Sequence, residues 1–171
     1  MARRLTALGD AAGHYLPDLV YGANDGIVTT FAVVSGVVGA SLANSVVIIL
    51  GLANLVADGF SMGASNYLAR RSTTEEDLVD RREAGRHGAA TSLGFVAAGV
   101  LPLAAYLLPL NDDIRFQAAA GVAAAALFSV GAARAVVTKR GFLRSGAEML
   151  LVGSAAGAVA YAIGALTAGL T

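Results

Sequence analysis

The chain has 171 residues, of which 56% are hydrophobic and only 14% are charged, and its mean hydropathy is +0.67. Soluble proteins carry about 25% charged residues, and a chain of this length cannot bury so much apolar surface in water. We therefore predict an integral membrane protein. The same composition excludes a soluble or a disordered chain. The 12 basic and 12 acidic residues cancel, which gives no argument for nucleic-acid binding, and the absence of cysteine excludes disulfides and thiolate chemistry.

Five apolar segments are long enough to cross a bilayer as helices, since a span needs about 20 mostly apolar residues. The predicted spans are residues 20–42, 44–68, 89–110, 114–138 and 147–170. These runs are far longer than the strands of a membrane β-barrel. We therefore expect residues 1–171 to form a single all-α transmembrane domain. Residues 1–17 are expected to form a short amphipathic approach to the membrane rather than a cleaved signal peptide.

Basic residues are concentrated in the segments that lie on one side of the membrane when the five spans are drawn in order. Five arginines lie in the short loop 70–88, whereas the connection between the third and fourth spans contains only Arg115. Because positively charged loops stay in the cytoplasm, the N-terminus and the loop 70–88 are predicted to be cytoplasmic. The C-terminus is predicted to lie on the opposite side. The compact loops favour a bacterial plasma membrane.

The second span carries the deepest ionisable group in the sequence, Asp58. A charge inside a span costs a few kcal/mol and needs a physical reason. Residues at four-residue spacing share a helix face, and this face carries Asn54, Asp58, Met62 and Asn66, with Ser61 and Ser65 beside them. Carboxylate and amide oxygens together with a thioether suit a divalent transition metal, whereas Mg²⁺ prefers oxygen ligands alone. A structural alternative stays open, in which Asp58 pairs with an amide or the backbone and Met62 fills the core.

The first span carries a second carboxylate, Asp25, next to Asn24 and between two glycines at its cytoplasmic end. Gly22 and Gly26 permit a close approach of helix backbones. Two interpretations therefore remain open for this segment. It is a packing turn, or the polar pair Asn24 and Asp25 is where an ion enters.

The loop 70–88 alternates acidic and basic residues, which is typical of a solvated, ion-paired helix extension. Thr73 or Thr74 is a candidate cap for such a helix. In that helix Glu76, Asp80 and Glu83 share a face, and a second interpretation is that these three carboxylates collect cations on the cytoplasmic side. Both interpretations stay open.

The remaining ionisable residues favour structural roles. Glu148 begins the fifth span and is expected to form an ion pair with Arg140 or Arg144, and His14 and His87 are expected at the surface. No nucleophile elbow, phosphate-binding glycine loop or paired-histidine zinc motif is present in the sequence. The chain is therefore not expected to be an enzyme or to hold a permanently bound cofactor.

Two motifs resemble a known family. Residues 25–36 (DGIVTTFAVVSG) and 51–63 (GLANLVADGFSMG), followed by NYLA at 66–69, are similar to the first- and second-helix signatures of the vacuolar iron transporter family. The resemblance covers essentially the whole chain. It implies a homodimer of five-helix subunits that exports Fe²⁺, and often Mn²⁺, from the cytosol in exchange for protons along a path at the dimer interface. Carried over to this chain, it selects Asp25 and Met62 as path residues.

The chain departs from the family pattern at two places. Asn54 stands where Glu occurs in the family, and Asp58, one turn along, is the candidate replacement carboxylate. The loop 70–88 stands where better-known members have a long, glutamate-rich metal-binding domain, so the chain resembles a short form. We predict that the metal passes Asn24 and Asp25 and binds Asp58 and Met62 with Asn54. The alternative is a non-transporting membrane scaffold whose polar stripe holds helices together.

Overall fold

The computed structural model describes the backbone of residues 2–72, 80–138 and 141–169, and the side chains of these residues except 2–12 and 136–138. Every element within these ranges is a helix, which confirms the all-α prediction. The five helices are α1 (Ala2–Gly39), α2 (Asn44–Ser72), α3 (Arg81–Leu107), α4 (Asp112–Thr138) and α5 (Phe142–Thr167).

Four of the described helices, α2 to α5, are long and apolar enough to cross a membrane. Their outer faces expose large apolar side chains, among them Val56, Phe60, Leu151 and Leu166. Such a surface suits hydrocarbon rather than water, so the chain is a membrane protein. Helix α1, whose apolar stretch is interrupted by Asn24 and Asp25, is not among these four, and its crossing of the membrane stays a prediction.

The central helix of the bundle is α1, which packs against each of the other four. Within the described residues, α2 contacts only α1 and α3, whereas α5 contacts only α1 and α4. The largest fully buried side chains include Ile27 of α1, Phe95 and Leu103 of α3, and Leu127 of α4. One side of α2, the helix that carries Asp58, is therefore left without a partner helix.

Helix α1 includes the N-terminal segment and ends at a defined cap. Residues 2–17, predicted as a separate amphipathic segment, are continuous with α1 although Pro17 lies inside the helix. At the other end Ser41 has a φ of 56°, and the N–H of Leu42 donates to the carbonyl of Val37 at 3.1 Å. A left-handed residue followed by this long backward hydrogen bond is a Schellman cap, which ends a helix and reverses the chain.

The start of α3 differs from the sequence prediction. The carboxylate of Asp80 accepts a hydrogen bond from the N–H of Arg82 at 3.3 Å and caps the helix. As a result α3 begins at Arg81, earlier than the predicted span 89–110. The second half of the predicted loop 70–88 is therefore helical.

Glycines bring α1 and α3 into backbone contact. A Cβ added at Gly94 of α3 would overlap the carbonyl of Leu19, and one added at Gly26 of α1 would overlap the carbonyl of Phe95. Small residues at such positions let helices approach closely in a membrane. At Gly22, too, an added Cβ would meet the backbone of α3. These contacts support the packing interpretation of the two glycines that flank Asp25.

Replacing Gly94 with alanine is expected to destabilise the protein by about 1–3 kcal/mol, because overpacking forces backbone shifts. The matched control is Gly85→Ala on the same helix, since nothing lies within 4 Å of a Cβ there. That change is expected to be neutral, or stabilising by up to about 1 kcal/mol through helix propensity. Melting temperatures of the two purified variants provide the measurement, and equal values would contradict the packing argument.

Candidate metal centre

Polar side chains of α1 and α2 face each other along what we call the α1–α2 groove, formed by Tyr21, Asp25, Thr29, Asn54, Asp58 and Met62. The amide of Asn54 donates to the hydroxyl of Thr29 at 3.5 Å, and that hydroxyl donates to the carbonyl of Asp25 at 2.8 Å. Asp25 and Asp58 are close enough for their charges to interact. Three of the four predicted metal ligands, Asp25, Asn54 and Asp58, are thus linked across α1 and α2. Met62 lies one turn from Asp58 on α2 and lines a pocket beside Tyr21.

The end of the groove that carries Tyr21 and Met62 is open to the surface of the chain. The pocket there has a volume of about 380 Å³ and is lined by Tyr21, Ser61, Met62, Ser65, Asn66 and Ala69. Ser61 and Ser65 are exposed, whereas Asp25 and Asp58 are half-buried. An ion in this groove would therefore be held by side chains of two helices and remain accessible from one side.

The arrangement of the groove suits a cation. Two carboxylates that face each other in a medium of low dielectric constant repel unless a proton or a metal ion lies between them. The amide of Asn54 and the sulfur of Met62 add neutral donors. The groove therefore offers charged and neutral donor groups of the kinds that bind a divalent cation.

Asn24 lies in a different pocket from the α1–α2 groove. It lines a pocket with Arg134 and Glu148, and its side-chain oxygen is buried with no hydrogen-bond partner among the described residues. Asn24 and Asp25 therefore face different surroundings although they are neighbours in sequence. Glu148 accepts a hydrogen bond from Arg144 at 3.1 Å, which confirms the predicted ion pair.

Of the three acidic loop residues, the two that the structure describes, Asp80 and Glu83, have different partners. Glu76 lies outside the described residues. Asp80 is exposed and caps α3. Glu83 lies one helical turn further and contacts α1, where it accepts hydrogen bonds from Tyr15 at 3.0 Å and from His14 at 2.9 Å.

A buried polar cluster at the same end of the bundle was missed by the sequence analysis. We call it the Asp18 cluster, and it consists of Asp18, Asn66, Arg70, His87 and Thr91. Asp18 accepts hydrogen bonds from Asn66 at 2.7 Å and from Arg70 at 3.1 Å. His87 Nδ1 lies 2.6 Å from the other oxygen of Asp18 and must donate, since a carboxylate only accepts. The cluster joins α1, α2 and α3.

The surroundings of Asp18 control its protonation. Burial raises the pKa of the Asp18 carboxyl, but the hydrogen bonds from His87, Asn66 and Arg70 outweigh burial and hold the pKa below its usual value of 3.8. Asp18 is therefore an anion in the folded protein at neutral pH.

The prediction that His87 is a surface residue is wrong, because its side chain is only 4% exposed. The same prediction for His14 is confirmed, with 56% of its side chain exposed. A signal for the cluster was present in the sequence. Pairs of polar residues four apart recur at or beside one end of the first three predicted spans: His14 and Asp18, Asn66 and Arg70, His87 and Thr91.

Comparisons with known proteins point to one family. The VIT family profile matches residues 16–86 and 73–165. Vacuolar iron transporter homolog 5 of Oryza sativa subsp. japonica is 28% identical over 181 aligned positions, which cover 95% of this chain and 87% of that protein. The vacuolar iron transporter of Toxoplasma gondii is 44% identical over 71 residues, and vacuolar iron transporter 1 of Arabidopsis thaliana is 39% identical over 70 residues. Those two matches cover 42% and 41% of this chain, but only 23% and 27% of the relatives.

Proposed function

Because the chain belongs to the VIT family, we propose that it is a homodimeric transporter that moves Fe²⁺ out of the cytosol in exchange for protons, with Mn²⁺ as a second cargo. The relatives are named as iron transporters. For this chain, the observation that carries the proposal is the α1–α2 groove. It contains Asp25 and Asp58, whose charges interact, and Asn54, which is joined to Asp25 through Thr29. Met62 lies one turn from Asp58 on α2 and lines a pocket with Tyr21 of α1.

We propose Asp25, Asn54, Asp58 and Met62 as the residues that bind the transported ion. The two carboxylates supply the negative charge that a dication needs to leave water. The sulfur of Met62 favours a transition metal over Mg²⁺, which prefers oxygen ligands and its own waters. This donor set supports Fe²⁺ and Mn²⁺ as cargo.

Exchange with protons follows from the same pair of carboxylates. When the metal leaves, Asp25 and Asp58 remain close together within the bundle. Their repulsion favours the uptake of a proton, and a returning dication displaces it. Metal movement in one direction is thereby coupled to proton movement in the other.

The homodimer is supported by the open side of the groove. Polar groups that face hydrocarbon cost several kcal/mol, and the groove opens at the surface beside exposed Ser61 and Ser65. Within the described residues α2 has no helix on its outer side. A second copy related by a two-fold axis would cover this side and contribute the same ligands again.

We also propose that α1 crosses the membrane, which makes five spans. It packs against all four of the apolar helices, so it lies within the bundle that they form. The bias of basic residues supports a cytoplasmic N-terminus and a C-terminus on the opposite side. The membrane that we propose is the bacterial plasma membrane.

The proposal is tested by metal uptake into proteoliposomes that contain an Fe²⁺-sensitive fluorophore. Vesicles with an acidic lumen are expected to take up Fe²⁺ several-fold faster than vesicles without a pH gradient, and their lumen should become more alkaline as the metal enters. Mn²⁺ is expected to compete with Fe²⁺, whereas Mg²⁺ is not.

Protein-free vesicles with the same gradient provide the control. Uptake that does not respond to the pH gradient would rule out proton exchange. A lack of uptake, combined with melting temperatures that Fe²⁺ and Mn²⁺ do not raise, would support the scaffold alternative, because a ligand that binds only the folded state must stabilise it.

A further inference from the structure

We infer that His14, Glu83 and His87 form a second divalent-metal site, outside the α1–α2 groove, at the end of the bundle where the Asp18 cluster lies. Among the described residues, one ligand atom from each of the three lies within 4.8 Å of the other two. Metal binding there is independent of the proposed function. Its role as the first binding site of the transported ion rests on that function.

The geometry of the three side chains suits a metal ion. Glu83 Oε1 lies 2.9 Å from His14 Nε2 and 3.6 Å from His87 Nε2. The two imidazole rings have their centroids 4.8 Å apart. A metal with bonds of about 2.0–2.2 Å separates neighbouring ligand atoms by about 3 Å and opposite ones by about 4 Å. Small side-chain movements would therefore admit an ion, together with a shift of the His14 ring proton from Nε2, where it is donated to Glu83, to Nδ1.

The ring of His87 is already oriented for a metal. Its Nδ1 is held by the carboxylate of Asp18 at 2.6 Å, and the ring is buried. This hydrogen bond places the proton on Nδ1 and leaves the lone pair of Nε2 directed toward Glu83. A carboxylate behind a ligating histidine is a common arrangement at metal sites, where it fixes the tautomer and raises the basicity of the ligand. Asn66 and Arg70 hold Asp18 in turn.

The two oxygens of Glu83 have different partners. Oε2 lies 3.4 Å from the guanidinium of Arg86. Oε1 faces both histidines and accepts a hydrogen bond from the hydroxyl of Tyr15 at 3.0 Å. Arg86 therefore does not occupy Oε1, and a metal bound there would replace the hydrogen bond from His14. The exposure of His14 gives an ion direct access from the solvent.

Two imidazoles and one carboxylate select among divalent cations. This donor set is typical of Fe²⁺ and other first-row transition metals, whereas Mg²⁺ and Ca²⁺ prefer oxygen ligands. Three protein ligands leave coordination positions for water, unlike closed structural sites with four. Such a site can release its ion, which suits a first binding site.

The position of the site supports that role. His14, Asp18, Tyr21 and Asp25 follow one another at spacings of three and four residues, so they lie along one face of α1. The distance from His14 to Asp25 along the helix is about 16 Å at a rise of 1.5 Å per residue. One polar stripe thus joins the second site to the α1–α2 groove.

The test uses the full chain without a histidine tag, labelled with ¹⁵N-histidine and purified in detergent. The chain contains only two histidines, so the ring nitrogen signals report this site alone. Addition of Zn²⁺, a diamagnetic probe, is expected to shift the Nε2 signals of His14 and His87, and an excess of Mg²⁺ is not. In His14→Gln, the shift of the His87 signal is expected to require about tenfold or more Zn²⁺.

Glu148→Gln, which changes a carboxylate in another part of the bundle, is the matched control and should leave the titration unchanged. Ring signals that do not move with Zn²⁺, or a His14→Gln titration equal to that of the unchanged chain, would overturn the second site even if Fe²⁺ transport is found. Shifted ring signals in a chain that transports no metal would support the second site and refute the proposed function. The Asp58→Asn variant should keep the ring shifts.

Discussion

Replacing Asp58 with asparagine is expected to reduce Fe²⁺ transport by about tenfold or more while the fold stays intact. The amide has the shape of the carboxylate, but it has no charge to attract a dication and no proton to exchange. A tenfold loss corresponds to about 1.4 kcal/mol of transition-state stabilisation, which is within the range of a hydrogen bond to a charged group. The measurement is the initial rate of Fe²⁺ uptake into proteoliposomes that contain equal amounts of protein.

Two further variants make this result specific. Asp25→Asn is expected to give a similar loss, and the double variant should be no slower than the slower single one, because residues that act as a unit are not additive. Asp113→Asn, which changes an exposed carboxylate at the start of α4, should transport normally. A normal rate in Asp58→Asn would remove Asp58 from the site. Unchanged melting temperatures would show that a loss is not due to unfolding.

The long helices were predictable because hydrocarbon leaves few alternatives. About 20 apolar residues in a membrane must form a helix to satisfy their own backbone groups, and α2 to α5 each contain most of a predicted span. The start of α3 was not predictable from hydropathy. Arg81 and the polar residues after it are helical because Asp80 caps them and because side chains of α1 bind Glu83.

Only the α2 side of the α1–α2 groove was predictable from the sequence. Four-residue spacing places Asn54, Asp58 and Met62 on one face of α2 whatever that face contacts. Spacing carries no information on the opposite helix. The structure adds Thr29, which joins Asn54 to the backbone of Asp25. It also places Asn24 in a different pocket.

The Asp18 cluster was missed because its members are ordinary residues when each is taken alone. Asp18 precedes a predicted span, Arg70 follows one, and His87 lies in a charged loop, so each is typical of a membrane border. Only their packing shows that they share one network. Such a network is a property of the tertiary structure and depends on the close contact of α1 with α3 that the glycines permit.

Replacing Asp18 with alanine is expected to destabilise the protein by about 3 kcal/mol. Removing one partner of a buried ion pair leaves the other buried groups without their charged hydrogen-bond acceptor. His87 would keep a buried donor without an acceptor, and Asn66 would lose one acceptor. The loss lies at the low end of the usual range because the side chain of Arg70 is 36% exposed and can turn toward water. Asp113→Ala, at an exposed carboxylate in the first turn of α4, should cost no more than about 1 kcal/mol. Unfolding of the purified variants in detergent measures both.

The charge of Asp18 also predicts how this loss depends on pH. The pKa of Asp18 is lower in the folded protein than its usual value of 3.8, so the unfolded chain binds the proton more tightly. The folded state is therefore stabilised at any pH where the carboxyl is ionised in both states. The gain is complete above about pH 5 and disappears as the pH falls through the folded-state pKa. The isosteric variant Asp18→Asn removes this titration. The difference in melting temperature between the unchanged chain and Asp18→Asn should therefore be constant near neutral pH and shrink below about pH 4. A difference that stays constant to pH 3 would show that the hydrogen bonds to Asp18 do not depend on its charge.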